Sequence, residues 1–424
     1  MSNLASPSST LIASPKAPPV HAPMDQYPVQ GSELLVGGQP LSLLAARVGQ
    51  TPFFAYDRQL LRQRVDSLRA VLPKSIKLHY AMKANPLPAV VCFMAALVDG
   101  IDVASAGELK VALDAGADPR EISFAGPGKR DQELWQAVAA GVLVNLESPR
   151  EVGVLSDVSQ RLGVPARVAV RVNPDFELKG SGMKMGGGPK QFGVDVEQMP
   201  ALMASIAGAG LAFEGFHLFA GSQNLKAESI CEAQQKSYEL ALRLAELATS
   251  PVKFLNLGGG FGIPYFPGEQ RLDLSPIGEN LHQLCNRAKT ELPHAEFVIE
   301  LGRYLVGEAG VYVTRVVDKK ISRGQTYLVT DGGLNHHLSA SGNFGQVIRK
   351  NYPVTIGNRQ DAAPTEPSSV VGPLCTPLDL LADRMELPAA QVGDLVVVFQ
   401  SGAYGASASP QAFLGHPVCV EVLV

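Results

Sequence analysis

The chain has 424 residues, a formal net charge of −4, 46% hydrophobic residues and 18% charged residues. This length and composition predict a globular protein that is large enough for two domains. The sequence has no basic stripe of the kind that binds nucleic acid, and no apolar run reaches the roughly 18 residues that cross a bilayer. Its five cysteines are scattered and contain no CxxC pair, which predicts no metal site and a reducing, cytoplasmic location.

The N-terminal part is predicted to stand apart from the segments that follow. Residues 1–31 are rich in Ser, Pro and Ala and lack the charged and apolar regions of a signal peptide, so we expect a disordered leader. Residues 32–56 include Leu34–Leu44, which precedes the alternating region without sharing its pattern. We expect this segment to add a strand or two to the C-terminal β domain.

Residues 57–308 alternate short β-like runs with helical patterns. The first helix is predicted at Asp57–Val71, with Asp57 as its N-cap. Eight strands that alternate with helices predict an α/β fold, a (β/α)8 TIM-type barrel, with a doubly wound sheet as the alternative. The predicted strands are Ile76–Ala81, Gly100–Ala104, Glu121–Ala125, Gly141–Leu146, Arg167–Val172, Leu211–Leu218, Val252–Leu257 and Glu296–Leu301.

Residues 309–424 change pattern and predict a separate, mostly-β C-terminal domain, because β-rich runs occur there without long helices between them. The Pro- and Thr-rich stretch Asn358–Ser369 predicts a surface loop. The predicted strands are Val311–Lys320, Thr326–Val329, Ser368–Val371, Asp394–Phe399 and Val418–Leu423.

A lysine follows the first barrel strand in the sequence KLHYAMKAN, Lys77–Asn85. Burial at this strand end would lower the pKa of Lys83 and free its amine for Schiff-base chemistry. A lone lysine at a strand end is more often simply solvated. Barrels of this kind carry their chemistry at the carboxyl ends of the strands, and polar side chains accumulate there in this chain. They include Asp102, Asn145, Arg171, His217, Glu300 and Arg303.

A glycine run, Gly258–Gly262, follows the seventh strand as GGGFG. Successive glycines let the backbone approach an anion and direct N–H groups at it, although a plain flexible turn is the alternative. The run matches neither a Walker A motif nor a dinucleotide fingerprint. Together, a Schiff-base lysine and a phosphate cradle predict pyridoxal 5′-phosphate (PLP) as the cofactor.

Two further side chains are candidates for contact with the cofactor ring. Glu300 ends the apolar strand FVIE and could pair with the pyridine nitrogen, or instead form an ion pair with Arg303. His217 ends the sixth strand and could stack on the ring, or be an ordinary buried histidine.

The motifs in combination resemble the alanine-racemase-type (fold type III) PLP enzymes, and within them the ornithine, diaminopimelate and arginine decarboxylase group. The resemblance covers roughly residues 50–424. The motifs that carry it are YAMKAN, DVASAGE, KQFGV (Lys190–Val194), HLFAGSQ, NLGGGFG, ELGR, GPLCTPLD and GAYG.

The resemblance implies a role for each matching residue. Lys83 would form the Schiff base with PLP, and Lys190 is the next candidate if Lys83 does not. Cys375 would be a proton donor supplied by a neighbouring subunit, which implies a homodimer with shared active sites. At the cofactor, the resemblance implies that His217 stacks on the ring, that Glu300 pairs with the ring nitrogen, and that Ser222 and Gly258–Gly260 bind the phosphate. Asp102, Gly302 and Arg303 would lie around the cofactor, with Tyr404 near the cofactor and its phosphate. At the substrate, the implied contacts are Arg303, Thr376 and Tyr404.

The departures from the family pattern bear on the substrate. Thr376 stands where diamine-forming and diaminopimelate-type members carry an acid, so we expect an amino acid whose distal end is neutral, anionic or conjugated. Arg349 or His336 could pair with an anionic end, and Asp379 is the alternative partner for an ammonium. The glycine-rich Ser181–Lys190 resembles the subgroup associated with exosortase or carrier-protein pathways, in which the amino acid is tethered to a carrier.

The sequence therefore predicts a PLP-dependent decarboxylase that acts on an L- or D-amino acid or its conjugate. An amino-acid racemase of the same fold and a catalytically silent regulatory homologue are the alternatives. Cys375 in a decarboxylase-type motif argues against the racemase, and intact Lys83, Glu300 and Cys375 argue against the silent homologue.

Overall fold

A computed structural model describes residues 19–177 and 183–424 of the chain. The part before the barrel consists of a small antiparallel sheet, one helix and a fourth strand. These elements are β1 (Val29–Gln30), β2 (Glu33–Val36), β3 (Gln39–Pro40), α1 (Leu41–Val48) and β4 (Phe53–Tyr56).

The next region forms a closed barrel of eight parallel strands, in the order β5-β6-β7-β8-β9-β12-β14-β15, with β15 pairing back to β5. All eight predicted strands occur, so the barrel is confirmed and the doubly wound alternative is wrong. The strands in chain order are β5 (Ile76–Ala81), β6 (Gly100–Val103), β7 (Ile122–Phe124), β8 (Leu143–Leu146), β9 (Arg167–Asn173), β10 (Met183–Lys184), β11 (Val194–Asp195), β12 (Ala212–Leu218), β13 (Gly221–Ser222), β14 (Phe254–Gly259) and β15 (Glu296–Leu301).

Helices connect these strands and cover the outside of the barrel. The first begins as predicted, since the Asp57 carboxylate accepts hydrogen bonds from the backbone N–H groups of Gln59 and Leu60. The helices are α2 (Arg58–Val71), α3 (Pro88–Ala95), α4 (Ala106–Asp114), α5 (Asp131–Ala140), α6 (Pro149–Leu162), α7 (Met199–Gly208), α8 (Ala227–Ala245), α9 (Ser275–Glu291) and α10 (Arg303–Val306), with 3-10 turns at Met82–Ala84, Pro119–Glu121, Val196–Gln198, Gly307–Ala309, Ala406–Ala408 and Phe413–Gly415.

The C-terminal region is mostly β, as predicted. Its strands form one sheet in the order β18-β21-β16-β17-β19-β20, which β4 and β22 extend through pairing with β16 and with each other. The strands are β16 (Gly310–Ser322), β17 (Gln325–Thr330), β18 (Val354–Ile356), β19 (Glu366–Val371), β20 (Leu380–Leu387), β21 (Leu395–Val398) and β22 (Val420–Leu423).

The structure differs from three of the local expectations. The N-terminal strand that joins the C-terminal sheet is β4, whereas Leu34–Leu44 contributes only to the small separate sheet and to α1. Strands β18 and β20 of the C-terminal sheet were not predicted. The predicted surface loop Asn358–Ser369 ends early, because its last four residues already belong to β19.

The predicted disordered leader falls partly outside the described residues, which begin at Pro19. Residues 19–31 lie against the protein: Tyr27 is buried and its hydroxyl donates to the Glu308 carbonyl. This part of the leader therefore differs from the expectation: Ala22 is buried as well, and the carbonyls of Val20 and Pro23 accept hydrogen bonds from Gly268 and Arg271. In the two described ranges, no helix has both the length and the apolar character needed to span a membrane.

An ion pair is enclosed between the loop that follows β7 and helix α6. The Lys129 Nζ atom lies 3.0 Å from Glu151 Oε1, and both side chains are almost completely buried. The same ammonium donates to the Gly126 carbonyl at 2.7 Å. Removing one partner of such a pair leaves an uncompensated buried charge.

We expect Lys129→Met to lower the free energy of unfolding by about 3 kcal/mol, because Glu151 loses its counter-ion inside the protein. Urea unfolding of the full chain, followed by circular dichroism, measures the change. Lys110→Met is the matched control, since Lys110 pairs with Asp114 on an exposed helix face and should have far less effect. Equal losses for the two variants would contradict the expected role of the buried pair.

Candidate active site

Lys83 lies in the 3-10 turn that follows β5, at the carboxyl end of the barrel. Its side chain is exposed, so the expected burial is wrong: the turn lifts the lysine out of the strand and into the mouth. Its Nζ atom lies 5.9 Å from the centre of the Phe219 ring. Burial raises the pKa of Glu108, and the nearby Lys83 charge opposes part of that rise. The predicted chemistry of Lys83 therefore depends on its position at the mouth rather than on burial.

Glu300 and His217 meet inside the barrel. The His217 Nε2 atom lies 2.9 Å from Glu300 Oε2, and both side chains are buried. Burial opposes ionisation of Glu300, but the charges of His217, Lys83 and Arg171 hold its pKa well below the usual range for a carboxyl group. The site thus contains an ionised carboxylate beneath the lysine. The alternative ion pair between Glu300 and Arg303 does not form.

The glycine run after β14 brings the backbone of three loops into close contact. Gly258 and Gly260 both have φ of +72°, a left-handed conformation that favours glycine. A Cβ atom on Gly259 would collide with the Glu300 carbonyl, and one on Gly260 would collide with the Gly221 carbonyl, next to half-buried Ser222. The structure therefore excludes a plain flexible turn, since larger residues would not fit.

Contacts from the C-terminal domain fix the lysine turn. The backbone N–H of Tyr404 donates to the Ala84 carbonyl at 2.8 Å, and the Asn85 side chain donates to the Gly402 carbonyl at 3.0 Å. Tyr404 itself has φ of +53°, a strained value that these contacts hold in place. The GAYG and KAN motifs, far apart in sequence, thus form one structural unit at the mouth.

Arg303 follows Gly302 and lies between two aromatic rings at the same mouth. Its guanidinium carbon is 4.6 Å from the centre of the Tyr404 ring, and its Nη1 donates to the Tyr265 hydroxyl at 2.9 Å. Gly302 packs directly on the lysine turn, where a Cβ atom would lie 2.9 Å from the Ala81 carbonyl. The predicted group Lys83, Gly302, Arg303 and Tyr404 is therefore brought together.

Asp102 is buried on the neighbouring strand β6 and belongs to a polar cluster inside the barrel. Its Oδ1 atom lies 3.1 Å from His79 Nδ1 and accepts a 2.5 Å hydrogen bond from Ser123. Its Oδ2 atom is buried and has no hydrogen-bond partner among the described residues. His79, which the sequence analysis did not single out, is thus the direct neighbour of a predicted cofactor residue.

Cys375 and Thr376 lie in the loop between β19 and β20, where Cys375 is exposed. Asp379 holds this loop together: its two carboxylate oxygens accept hydrogen bonds from the backbone N–H groups of Leu334 (2.6 Å) and Leu374 (2.8 Å). Asp379 is buried and committed to these contacts. These contacts argue against the alternative in which Asp379 pairs with a substrate ammonium.

The two residues expected to pair with an anionic substrate end are also committed elsewhere. His336 is buried, and its Nε2 atom lies 2.8 Å from the Pro417 carbonyl oxygen. The Arg349 guanidinium contacts the Ser341 carbonyl (3.2 Å), the Asn351 side chain (2.8 Å) and the Leu380 carbonyl (2.9 Å). The expectation that His336 faces the barrel mouth was wrong, because its side chain is buried. Arg349 makes its hydrogen bonds within the C-terminal domain, where they order its own loop.

The KQFGV loop continues the barrel mouth on the side of β9. Gly193 has φ of +73°, and its N–H donates to Glu147 at 3.0 Å, while the Phe192 ring lies under the Arg171 guanidinium at 4.9 Å. Lys190 at the start of this loop is half-buried. Part of the preceding glycine-rich stretch, residues 181 and 182, lies outside the described residues.

The residue that links the two halves of the site was missed. Asn256 is completely buried on β14, where it contacts both Glu300 and Gly258. The signal was present in the sequence, since a lone amide two residues before a glycine run interrupts an otherwise apolar strand.

Comparison with known proteins identifies the family. Residues 58–307 match the model for the pyridoxal-binding domain of the pyridoxal-dependent decarboxylases. The chain belongs to this family. Residues 58–307 make up more than half of the chain and include Lys83, His217, Ser222, the glycine run, Glu300 and Arg303.

Individual relatives agree with this assignment over most of their length. An L-glutamyl-(BtrI acyl-carrier protein) decarboxylase of Niallia circulans is 38% identical over 88% of this chain and 89% of its own. A diaminopimelate decarboxylase of Aquifex aeolicus is 32% identical over 92% of this chain and 90% of its own. The crystal structure of Helicobacter pylori diaminopimelate decarboxylase with L-lysine superposes with a TM-score of 0.79 at 28% identity, covering 90% of this chain and 94% of that one. The chain is a PLP-dependent decarboxylase, and the racemase alternative is not favoured.

The described residues fit PLP. The mouth carries a lysine, a backbone cradle in which a Cβ atom on Gly259 or Gly260 has no room, and an ionised carboxylate. Neither ring nitrogen of His217 makes a directional hydrogen bond to a described residue, although Glu300 lies close. These groups match a planar, phosphorylated cofactor with a basic ring nitrogen.

We expect Glu300→Gln to reduce turnover by about 100-fold, or about 2.7 kcal/mol on the barrier, because a neutral amide does not keep the ring nitrogen protonated. PLP should remain bound, since the glycine cradle and Lys83 are retained, and the loss of PLP affinity should be smaller than the loss of turnover. Single-turnover kinetics and a fluorescence titration of PLP separate the two effects. Unchanged single-turnover rates would remove Glu300 from this role.

Proposed function

We propose that this decarboxylase acts on an amino acid whose distal end carries no free ammonium, and that the amino acid is attached to a carrier protein. The observation that carries the proposal is the loop containing Thr376. Diamine-forming members of the family place an acid at this position, whereas Thr376 offers only a hydroxyl group.

The surroundings of Thr376 support this substrate class. The Thr376 hydroxyl accepts a hydrogen bond from the Leu378 N–H, and the nearest acid in sequence, Asp379, is occupied by two backbone N–H groups. A buried ammonium without a counter-charge costs several kcal/mol. A diamino acid would therefore bind this loop poorly, whereas an amide or thioester would not incur that cost.

The relatives favour a conjugated substrate. The Niallia circulans relative, at 38% identity, is named for L-glutamate attached to an acyl-carrier protein. The diaminopimelate decarboxylase of Aquifex aeolicus is 32% identical. We therefore propose a carrier-bound, glutamate-like amino acid as the substrate class.

We assign the reaction steps to the residues as follows. Lys83 would hold the cofactor through its side-chain amine, and this amine would be freed when the substrate amine takes its place. PLP, when bound, would supply the electron sink for the electron pair that remains when CO2 leaves. Glu300 would keep a negative charge beside the ring nitrogen, and Ser222 and the Gly258–Gly260 backbone would bind the phosphate. Cys375 would deliver the proton that replaces the carboxylate on the α-carbon.

We propose that the active form is a homodimer with shared active sites. Cys375 is exposed on a loop that contacts the 341–348 segment through a 3.2 Å hydrogen bond from Asn343 to the Leu378 carbonyl. Apolar side chains are unusually exposed on these two segments: Leu378 is 59% exposed, Ile348 77% and Val347 fully exposed. A second copy that covers this patch would bring its own Cys375 to a barrel mouth.

The proposed location is the cytoplasm. All five cysteines are unpaired in the structure, and Cys92 and Cys375 are exposed. Exposed thiols persist in reducing compartments.

We expect L-lysine, L-ornithine and meso-diaminopimelate to be poor substrates, each with kcat/KM well below ~10⁴ M⁻¹s⁻¹, the lower range for true substrates. L-Glutamyl-pantetheine thioester should be turned over faster than free L-glutamate. Thr376→Asp should raise kcat/KM for L-ornithine at least ~10-fold by supplying a counter-charge, and Thr376→Asn, its neutral control, should not. A wild-type value near ~10⁴ M⁻¹s⁻¹ for any of the three diamino acids would refute the proposed substrate class.

Mixing inactive Lys83→Ala and Cys375→Ala subunits should restore activity, because one site of each mixed dimer then holds both residues. Random exchange should recover about a quarter of the wild-type sites. Lys83→Ala mixed with Glu300→Gln is the control, because both residues belong to the same barrel and no intact site can form. Mass spectrometry of the intact dimers verifies mixing. Mixed dimers without activity would mean that each site is built within one chain.

A further inference from the structure

Asn256 occupies a position between the two ends of the proposed cofactor site. It lies on β14, two residues before Gly258, and is completely buried. Its Nδ2 atom donates to Glu300 Oε2 at 3.1 Å. Its Oδ1 atom accepts from the backbone N–H of Gly258 at 2.7 Å. A single amide therefore contacts both the ring end and the phosphate end of the site.

The orientation of this amide is determined by its partners. The Gly258 N–H can only donate, so the oxygen of Asn256 must face it, and the amide nitrogen must face Glu300. Leucine, which has the same shape, offers neither contact. Aspartate can accept from Gly258 but can donate to Glu300 only when it is protonated.

The two hydrogen bonds constrain the groups they reach. Oε2 of Glu300 is held by Asn256, and no hydrogen bond from residues 19–177 or 183–424 reaches Oε1. Oε1 is thus the oxygen left for a ligand. On the other side, the bond to Gly258 fixes the first residue of the glycine turn, whose φ of +72° opens the backbone toward Gly260.

We propose that Asn256 is a positioning residue: its amide orients the Glu300 carboxylate toward the ring nitrogen of PLP and, at the same time, sets the glycine turn that receives the phosphate. The inference rests on the roles proposed above for Glu300 and Gly258. It is independent of the substrate, because the test measures cofactor binding alone.

The test compares the dissociation constant of PLP for the apo forms of wild type, Asn256→Leu and Asn256→Asp between about pH 5.5 and pH 8.5. Burial beside Glu300 should raise the pKa of the introduced carboxyl group into this range, whereas the charges of His217, Lys83 and Arg171, which also face Glu300, oppose that shift. Asn256→Leu loses both hydrogen bonds and should bind PLP at least ~10-fold more weakly at every pH. Asn256→Asp should match wild type at low pH, where a protonated aspartate still donates. The ratio of its PLP dissociation constant to that of wild type should rise ~10-fold or more as the pH increases, because the two adjacent carboxylates are then both ionised and repel each other. Taking the ratio cancels the titration of PLP itself.

Asn280→Asp is the matched control. Asn280 is also buried and hydrogen-bonded through its amide, but to Gln234 and Gln235 between α8 and α9. The Asn280→Asp variant introduces the same carboxyl group without contact with Glu300. The ratio of its PLP dissociation constant to that of wild type should therefore not depend on pH. If Asn256→Leu does not fold, Asn256→Asp decides alone. The inference would be overturned if the ratio of dissociation constants for Asn256→Asp stays flat or falls as the pH increases. It would also be overturned if folded Asn256→Leu binds PLP within about twofold of the wild-type dissociation constant.

Discussion

The site depends on one electrostatic condition, an ionised carboxylate held inside the barrel. Burial alone would protonate Glu300, but His217 at 2.9 Å and the charges of Lys83 and Arg171 keep its pKa well below the usual range. These three residues lie on β12, in the turn after β5 and on β9, each at or near the carboxyl end of a strand. A barrel places such ends in one ring, so groups that are distant in sequence can stabilise one charge. That charge in turn suits a cofactor with a basic ring nitrogen.

The second constraint is steric. The glycine turn after β14, the loop after β12 and the end of β15 approach so closely that Gly259 and Gly260 have no room for a side chain. The C-terminal domain closes the mouth through Gly402 and Tyr404, which contact the lysine turn directly. The β domain therefore does more than cover the barrel: it positions the turn that carries Lys83 and contributes an aromatic ring against Arg303.

The local sequence predicts the barrel well, because each strand is a short apolar run bounded by turn residues and followed by a helical pattern. It predicts that residues 32–56 join the C-terminal sheet but not which strand does so: β4 pairs with β16 and β22, whereas Leu34–Leu44 was expected to. The prediction that Lys83 is buried was also wrong, because the exposure of a side chain depends on how the turn that carries it leaves the strand. His336 and Arg349 have tertiary partners that no local pattern reveals. Asn256 was overlooked because its surroundings looked apolar, although a lone amide inside a buried strand needs partners.

The central claim is that this barrel mouth holds PLP covalently on Lys83, with the surrounding loops arranged for it. Borohydride reduction of the PLP-loaded enzyme followed by peptide mass spectrometry tests this directly, since reduction makes the lysine linkage permanent. One modified peptide is expected, carrying the pyridoxyl group on Lys83. Modification of Lys190 instead, or scattered labelling of surface lysines, would contradict the assignment of Lys83.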